Sequence, residues 1–307
     1  MKTITKLLPA VITAIIILLS SQSGISQQSD FFKKYSQAKL EISKEIASNP
    51  ELRDDREKSK EYARSQIREL YASKALDIEA WLPDRGERDR FKPITNSASS
   101  TTQVDEGDLQ ALTDLYNQCN GAGWVNNENW LDGDPSTWYG VSLNGEGRVA
   151  GLRLPQNNLT GELPSSFSNL TALQDLLLPN NFLEGTLPAS WSVWSSIEYF
   201  ELRNNNFSGN LPESWSDWTS IKRLLLGSNQ IEGTLPESWG LMSSLEIIEL
   251  GHNPINGTIP ISWANLSQLQ FIMLDWTNLG GELPREWSNL TNLEHIILGG
   301  NQFEGTL

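Results

Sequence analysis

A leucine recurs every 24 residues through the second half of this 307-residue chain: Leu154, Leu178, Leu202, Leu226, Leu250, Leu274 and Leu298. Three residues after each stands Asn157, Asn181, Asn205, Asn229, Asn253, Thr277 or Asn301. Seven after each stands Gly161, Gly185, Gly209, Gly233, Gly257, Gly281 or Gly305, and in the first six units a Leu-Pro or Ile-Pro pair follows in register. Within one unit the closely spaced pair, such as Leu176 and Leu178, has the two-residue period of a strand, so both side chains point to one face. A single unit cannot cover its own leucines, and units must stack to bury them. The expected product is a solenoid whose strands lie about 4.8 Å apart, so that seven of them make a parallel sheet roughly 30 Å long.

The other repeat positions have physical roles. The asparagine sits where the chain leaves the strand, and its amide can serve backbone groups that the turn leaves unpaired. Stacked asparagines then form a hydrogen-bond ladder, with a local adjustment expected at Thr277. The glycine permits a backbone conformation closed to other residues. The proline lacks a donor and suits an irregular segment better than a regular helix.

The run Asn157-Asn158-Leu159-Thr160-Gly161-Glu162-Leu163-Pro164 resembles the plant-type signature of the leucine-rich repeat family. The resemblance covers about 149–307, six complete units and a truncated seventh. It implies an α/β fold: a right-handed leucine-rich repeat solenoid with a parallel concave sheet and an irregular convex side, preceded here by an α-helical segment. It also implies recognition rather than catalysis. Trp191, Trp215, Trp239, Trp263 and Trp287 repeat at 24, with Phe167 in the same slot of the first unit and Trp194 and Trp218 in the next apolar slot. A periodic tryptophan in a core slot reads as core rather than as a sugar-stacking platform, and each indole N–H is expected to find a carbonyl.

Residues 1–26 read as a signal peptide, with Lys2 and Lys6 ahead of an apolar run from Leu7 to Leu19. Residues 27–92 read as a charged helical segment broken at Asn49-Pro50. Phe31, Phe32, Tyr35, Leu40, Ile42 and Ile46 line one helix, and Tyr62, Ile67, Leu70, Tyr71 and Ile78 line a second. Residues 93–104 read as a linker. Residues 105–148 read as a cap for the first repeat, because an open solenoid end leaves a strand edge and leucines bare. The cap has a helix carrying Leu109, Leu112, Leu115 and Tyr116, then Trp124, Trp130 and Trp138. Trp138-Tyr139-Gly140-Val141 resembles the family's cap motif. Ser136 and Leu143 stand where the family implies stapling cysteines, so aromatic packing must replace that bridge. The missing bridge and the signal style resemble exported bacterial members of the family.

The net charge is −15, and the stretch from residue 93 onward carries 6 Lys/Arg against 24 Asp/Glu. So acidic a surface excludes nucleic acid as a partner and disfavours anionic lipid. The acidic clusters Asp105, Glu106, Asp108 and Asp132, Asp134 lack EF-hand spacing and read as solvated carboxylates. Cys119 is the only cysteine, precedes the first unit and reads as buried. His252 lies on the fifth unit and His295 on the seventh, too far from it for a nucleophile–base pair. No catalytic set, zinc spacing or phosphate loop emerges, so no enzyme activity and no cofactor are expected. Asn-x-Ser/Thr triplets begin at Asn158, Asn169, Asn206, Asn256, Asn265 and Asn289 and serve as glycan acceptors only in a eukaryotic secretory pathway.

Repeat register identifies the outward strand positions. The candidate ligand-binding residues of the concave face are Tyr199, Glu201, Arg203, Arg223, Leu225, Ile247, Glu249, His252, Phe271, Met273, Trp276 and His295. Leu225, Ile247, Phe271, Met273, Trp276 and Ile297 are expected to form an exposed apolar patch, which marks an interaction site unless another part of the protein covers it. The expected function is an exported or cell-surface protein that binds a protein, peptide or glycan. The alternatives are the ectodomain of a receptor-like signalling protein with a kinase downstream, and a structural adhesin. Membrane association is expected only through an uncleaved signal or a further C-terminal module. The stop at Leu307, mid-repeat and without a polar cap, reads as a fragment of a longer protein.

Overall fold

The computed structural model describes residues 37–38, 41–42, 44–55, 58–59, 62, 65–66 and 104–305. The signal peptide, nearly all of the linker, and Phe31, Phe32, Tyr35, Leu40, Ile67, Leu70, Tyr71 and Ile78 lie outside them. The chain divides into two compact units, Leu19–Pro93 and the remainder.

In the first of these, helical residues 44–48 end at Asn49, whose backbone is extended (φ −100°, ψ 111°). A new short helix, Pro50–Arg53, starts there, with the Asn49 side chain accepting from Glu51 N–H at 3.0 Å. The Asn-Pro pair thus interrupts the helix as expected, because the residue before proline avoids the helical region. Ile42 is buried, and the Tyr62 hydroxyl donates to Glu45 at 2.7 Å.

The repeats build two strand systems. The main sheet has eight strands: β1 (Val141–Leu143), β2 (Val149–Arg153), β4 (Asp175–Leu177), β6 (Tyr199–Glu201), β8 (Arg223–Leu225), β10 (Ile247–Glu249), β12 (Phe271–Met273) and β14 (His295–Ile297). β1 pairs antiparallel with β2, and every later pairing is parallel with a 24-residue register. Strands that follow each ladder residue, Asn or Thr277, form a second system. β3 (Thr160–Glu162), β5 (Phe182–Thr186), β7 (Asn206–Asn210) and β9 (Gln230–Glu232) make one sheet; β11 (Asn256–Gly257), β13 (Asn278–Gly281) and β15 (Gln302–Phe303) make another. A lone bridge, Thr234 to Asn256, joins them.

The proline of each Leu-Pro or Ile-Pro pair is followed by a five-residue 3-10 helix, for example Glu213–Asp217 after Pro212. Short 3-10 turns rather than α-helices fit a 24-residue unit, which has no room for longer elements. Gly209 has φ 74°, a region that a side chain enters only with strain, and all the repeat glycines at this position share it.

The asparagine ladder is present. Asn205 Nδ2 donates to Leu178 O and Leu202 O, both at 3.0 Å, and its Oδ1 accepts from Leu183 N. Asn181, Asn229 and Asn253 repeat the pattern across consecutive units. Thr277 is the adjustment expected from its shorter side chain. Its hydroxyl reaches Leu274 O of its own unit at 3.1 Å, while no donation to Leu250 O of the preceding unit is formed.

The tryptophans are core. Trp191, Trp215, Trp239 and Trp263 are fully buried and stack along the solenoid with centroids 6.1, 6.2 and 6.4 Å apart. Most indoles find a carbonyl of the preceding unit, such as Trp215 to Pro188 O at 3.0 Å and Trp263 to Pro236 O at 2.9 Å. The expectation of a partner for every indole needs correction at two positions: Trp191 and Trp287 have none for their N–H. The indole column begins at Trp191, with Phe167 packed before it at 6.4 Å.

The segment ahead of the first repeat carries helix Glu106–Gln118, capped by Asp105, with Leu112 and Leu115 fully buried and Leu109 partly exposed. Tyr116, Trp124, Trp130 and Trp138 form one aromatic cluster with centroids 4.8–6.1 Å apart. The reading of Asp108 as solvated is wrong. It is fully buried, accepts from Arg148 at 2.9 and 2.8 Å, and also from Val149 N at 2.7 Å. A carboxylate there satisfies the edge of β2 and a cation at once, a pairing of distant residues that no local motif signals. Cys119 is buried, and burial pushes its thiol up to about 12, which leaves it inert as a nucleophile. No helix among the described residues is long and apolar enough to cross a membrane.

Candidate ligand-binding face

Parallel register arranges the outward side chains of the main sheet in two rows. One row runs Gly151, Asp175, Tyr199, Arg223, Ile247, Phe271, His295; the other runs Arg153, Leu177, Glu201, Leu225, Glu249, Met273, Ile297. The strand exits add Arg203, His252, Asp275 and Trp276.

The rows interlock by charge and aromatic contact. Arg153 pairs with Asp175. The Arg223 guanidinium lies 5.2 Å from the Tyr199 ring centroid, a cation–π distance, and Phe271 stacks on His295 at 4.9 Å. Arg203 donates through Nε to Glu201 at 2.7 Å and sits 3.7 Å from Glu249 Oε2. His252 Nε2 lies 3.3 Å from Asp275 Oδ2, and its ring stacks on Trp276 at 6.2 Å.

The expectation of an exposed apolar patch is corrected. Leu225, Ile247, Phe271 and Met273 are buried, at 3, 1, 0 and 4% exposed, while Trp276 and Ile297 are half-buried. Tyr199, Glu201, Arg203, Arg223, Glu249 and His252 are buried as well, and His295 is half-buried. Tyr199, Arg203, Arg223, His252, Phe271, Asp275 and His295 also make further contacts beyond those named above.

The strand exits carry a local signal. Asn180, Asn204, Ser228, His252 and Trp276 occupy the same repeat position with φ between 53° and 59°. Asparagine, and less often histidine, tolerates this left-handed region; a bulky tryptophan enters it at a cost of about 1–2 kcal/mol. Trp276, beside His252, is therefore placed where the backbone disfavours it, a pattern associated with functional sites. Asp275, an outward position left out of the sequence-derived set, joins them through His252. Gly227 and Gly251 join them too: a Cβ on Gly227 would fall 2.4 Å from Glu249 Oε1, and one on Gly251 would fall 2.7 Å from Asp275 Oδ1. The readable signal for both is the loss of side chain just after the register leucine.

Burial raises the Glu249 carboxyl to about 7, with Asp275 and Glu201 adding to the rise and Arg203 opposing it. Burial lowers the His295 imidazole. A carboxyl raised on folding contributes stability that is full below its ordinary value near 4.5 and is lost as pH rises through about 7. Glu249→Gln is therefore expected to match the native chain near pH 4.5. At pH 8 it should be more stable, by on the order of 3 kcal/mol. Thermal melts at the two pH values test this, and a native chain that is the more stable at pH 8 refutes it.

The repeat pattern also matches a known family directly: the Leucine Rich Repeat model matches residues 150–170, 196–218 and 244–266. The chain is a leucine-rich repeat protein of the plant type. A stretch of 51 residues is 51% identical to Receptor-like protein kinase BRI1-like 3 of Arabidopsis thaliana, covering 16% of this chain and 4% of that protein. The PEPR1–AtPEP1 crystal structure superposes with a TM-score of 0.60 at 24% identity, over 66% of this chain and 29% of that one, and shows the shared fold. The ectodomain of the Arabidopsis receptor kinase HAESA, in complex with an IDA peptide hormone ligand, superposes with a TM-score of 0.50 at 26% identity, over 66% of this chain and 39% of that one. The leucine-rich repeat chain thus spans well under half the length of these relatives.

Proposed function

We propose that this leucine-rich repeat protein is an exported, non-enzymatic recognition module that binds a peptide or an extended protein segment along its main strand face. The observation that carries the reading is the composition of that face. A solenoid needs only its leucines and its asparagine ladder; this one also spends Arg203, Arg223, Glu201, Glu249, His252 and Asp275 on buried outward positions. Buried charges cost stability unless well paired, so their presence on one face points to selection for binding. The peptide hormone held by the HAESA ectodomain supports a peptide as ligand. The stretch shared with a receptor-like kinase supports a receptor ectodomain as the form in which the module acts. Because the face is largely buried, binding includes a step that uncovers it, with Trp276 as its half-buried lip.

Trp276→Asn separates binding from folding. Asparagine accepts φ near 53° without strain, so the variant should keep its melting temperature within a few degrees. Peptides selected from an array of random N-acetylated, C-amidated sequences on the native chain should bind this variant at least tenfold more weakly. If no peptide is retained, or the variant binds them equally well, the strand-face reading is wrong.

A further inference from the structure

We propose that the flank running from the cap onto the first two repeats, around Val125, Leu131 and Phe182, docks a basic segment of a partner protein, one with apolar side chains bordered by lysine or arginine. This surface belongs to the cap and the second strand system, and it stands independently of the strand-face reading above.

The first ground is apolar surface at places where the repeat does not call for it. Phe182 on β5 is 57% exposed, while the equivalent position in the other units is Asn158, Asn206, Gln230, Pro254, Asn278 or Gln302. Val125 is 77% exposed and Leu131 45%. Trp124 and Trp130, the residues before them, are buried and pack at 4.8 Å, so the cap core closes without these two side chains. Leu131 also holds φ 63°, a left-handed conformation that a branched side chain enters only at a cost. The Val125 N–H donates to Asn157 O and the Phe182 N–H to Leu159 O, so both border one backbone segment from opposite sides. Two strand spacings and two residues of rise put them about 12 Å apart. Side chains four residues apart on an extended segment span about 13 Å.

The second ground is charge. Glu128, Glu162 and Glu184 are exposed on the same flank. β3 and β5 pair Glu162 with Glu184, and a Cβ on Gly185 would fall 2.9 Å from Glu162 Cγ, so the two carboxylate side chains run side by side. Like charges one strand spacing apart repel. No described residue forms an ion pair with any of the three, and residues 120–147 and 154–202 contain no Lys or Arg. Between those stretches, Arg148 is bonded to Asp108 and Arg153 to Asp175.

The charge selects the occupant. Nucleic acid and anionic lipid are repelled, and a second copy of the chain brings the same acidic surface. A basic segment relieves the repulsion between Glu162 and Glu184 while its apolar side chains cover Phe182 and Val125. An exposed aromatic ringed by complementary charge is the usual composition of such an interface.

The test uses the full chain and short N-acetylated, C-amidated peptides carrying leucines four residues apart with lysines between them, at physiological ionic strength. The native chain should bind this peptide, and should bind at least tenfold more weakly a version with glutamate for lysine and a version with glutamine for leucine. Phe182→Asn, which installs the residue of neighbouring units, should weaken the basic peptide at least tenfold with an unchanged melting temperature. Glu162→Gln with Glu184→Gln should do the same. Glu237→Gln with Glu286→Gln, an equal loss of charge on the 3-10 side, should change affinity less than about twofold, because distant surface charges are screened. Trp276→Asn should leave it unchanged as well. No binding, equal binding by Phe182→Asn, or equal effects of the two charge-matched pairs overturns the flank surface and leaves the strand-face reading standing, since that reading answers to Trp276→Asn. A native dimer in sedimentation that Phe182→Asn abolishes overturns it in favour of a second copy.

Discussion

Replacing Asn229 with alanine is expected to destabilise the solenoid by about 3–5 kcal/mol, more than most surface or even core substitutions cost. Asn229 Nδ2 donates to Leu202 O at 3.0 Å and to Leu226 O at 2.9 Å, and its Oδ1 accepts from Phe207 N at 3.0 Å. All of these groups are buried; the two carbonyls each keep one donor, Asn205 on Leu202 O and Asn253 on Leu226 O, while the Phe207 amide is left with no partner. The orphaned amide costs about 1–3 kcal/mol and each lost carbonyl bond about 0.5–1.5 kcal/mol. The chain contains its own control at Thr277, where a hydroxyl keeps the bond within the unit and forgoes the one to the unit before. Asn229→Thr should accordingly lose about half as much as Asn229→Ala. Denaturant unfolding ranks the three proteins, and hydrogen exchange at the Phe207 amide reports the ladder directly. Equal stability of the alanine and threonine variants would falsify the ladder as an energetic element.

Replacing Trp215 with alanine is the second large effect, at about 4 kcal/mol. The ring is fully buried between Trp191 and Trp239, 6.1 and 6.2 Å away, and also meets Trp218 at 4.3 Å and Phe200 at 5.2 Å. Its removal opens a cavity shared by three units and frees Pro188 O from the indole N–H. In a solenoid each unit is held by its neighbours, so a break at mid-array should also reduce cooperativity and give a shallower or two-step denaturation curve. The measurement is a urea titration followed by tryptophan fluorescence and circular dichroism together. A loss below about 1 kcal/mol, with the two probes coincident, contradicts a column that acts as core.

These two effects are legible from sequence because they belong to the repeat. Position 229 is asparagine for the same reason as positions 181, 205 and 253, and position 215 is tryptophan in step with 191, 239 and 263. Periodicity turns one physical requirement into several copies, which is why register, ladder and indole column follow from spacing alone. The candidate site is the opposite case. Tyr199, Glu201, Arg203, Glu249 and His252 were identifiable only as deviations from the repeat, and what deviates carries no copies from which to read its surroundings. Burial of Phe271 and Met273 ran against the expectation of an exposed patch, since outward direction is a property of the strand while exposure depends on what else the chain brings near.

The sequence by itself determined the solenoid, its 24-residue register, the strand and turn positions, the aromatic core and the strongly acidic character. Each of these follows from local geometry repeated at a fixed interval. Tertiary structure alone decided that Asp108 is buried on Arg148, that Trp191 and Trp287 lack indole partners, and that the carboxylates of Glu249 and Asp275 lie over Gly227 and Gly251. Those outcomes depend on which side chains meet across units and how much water is excluded between them. A free-energy balance of that kind, between desolvation and pairing, is a property of three-dimensional neighbours and not of spacing along the chain.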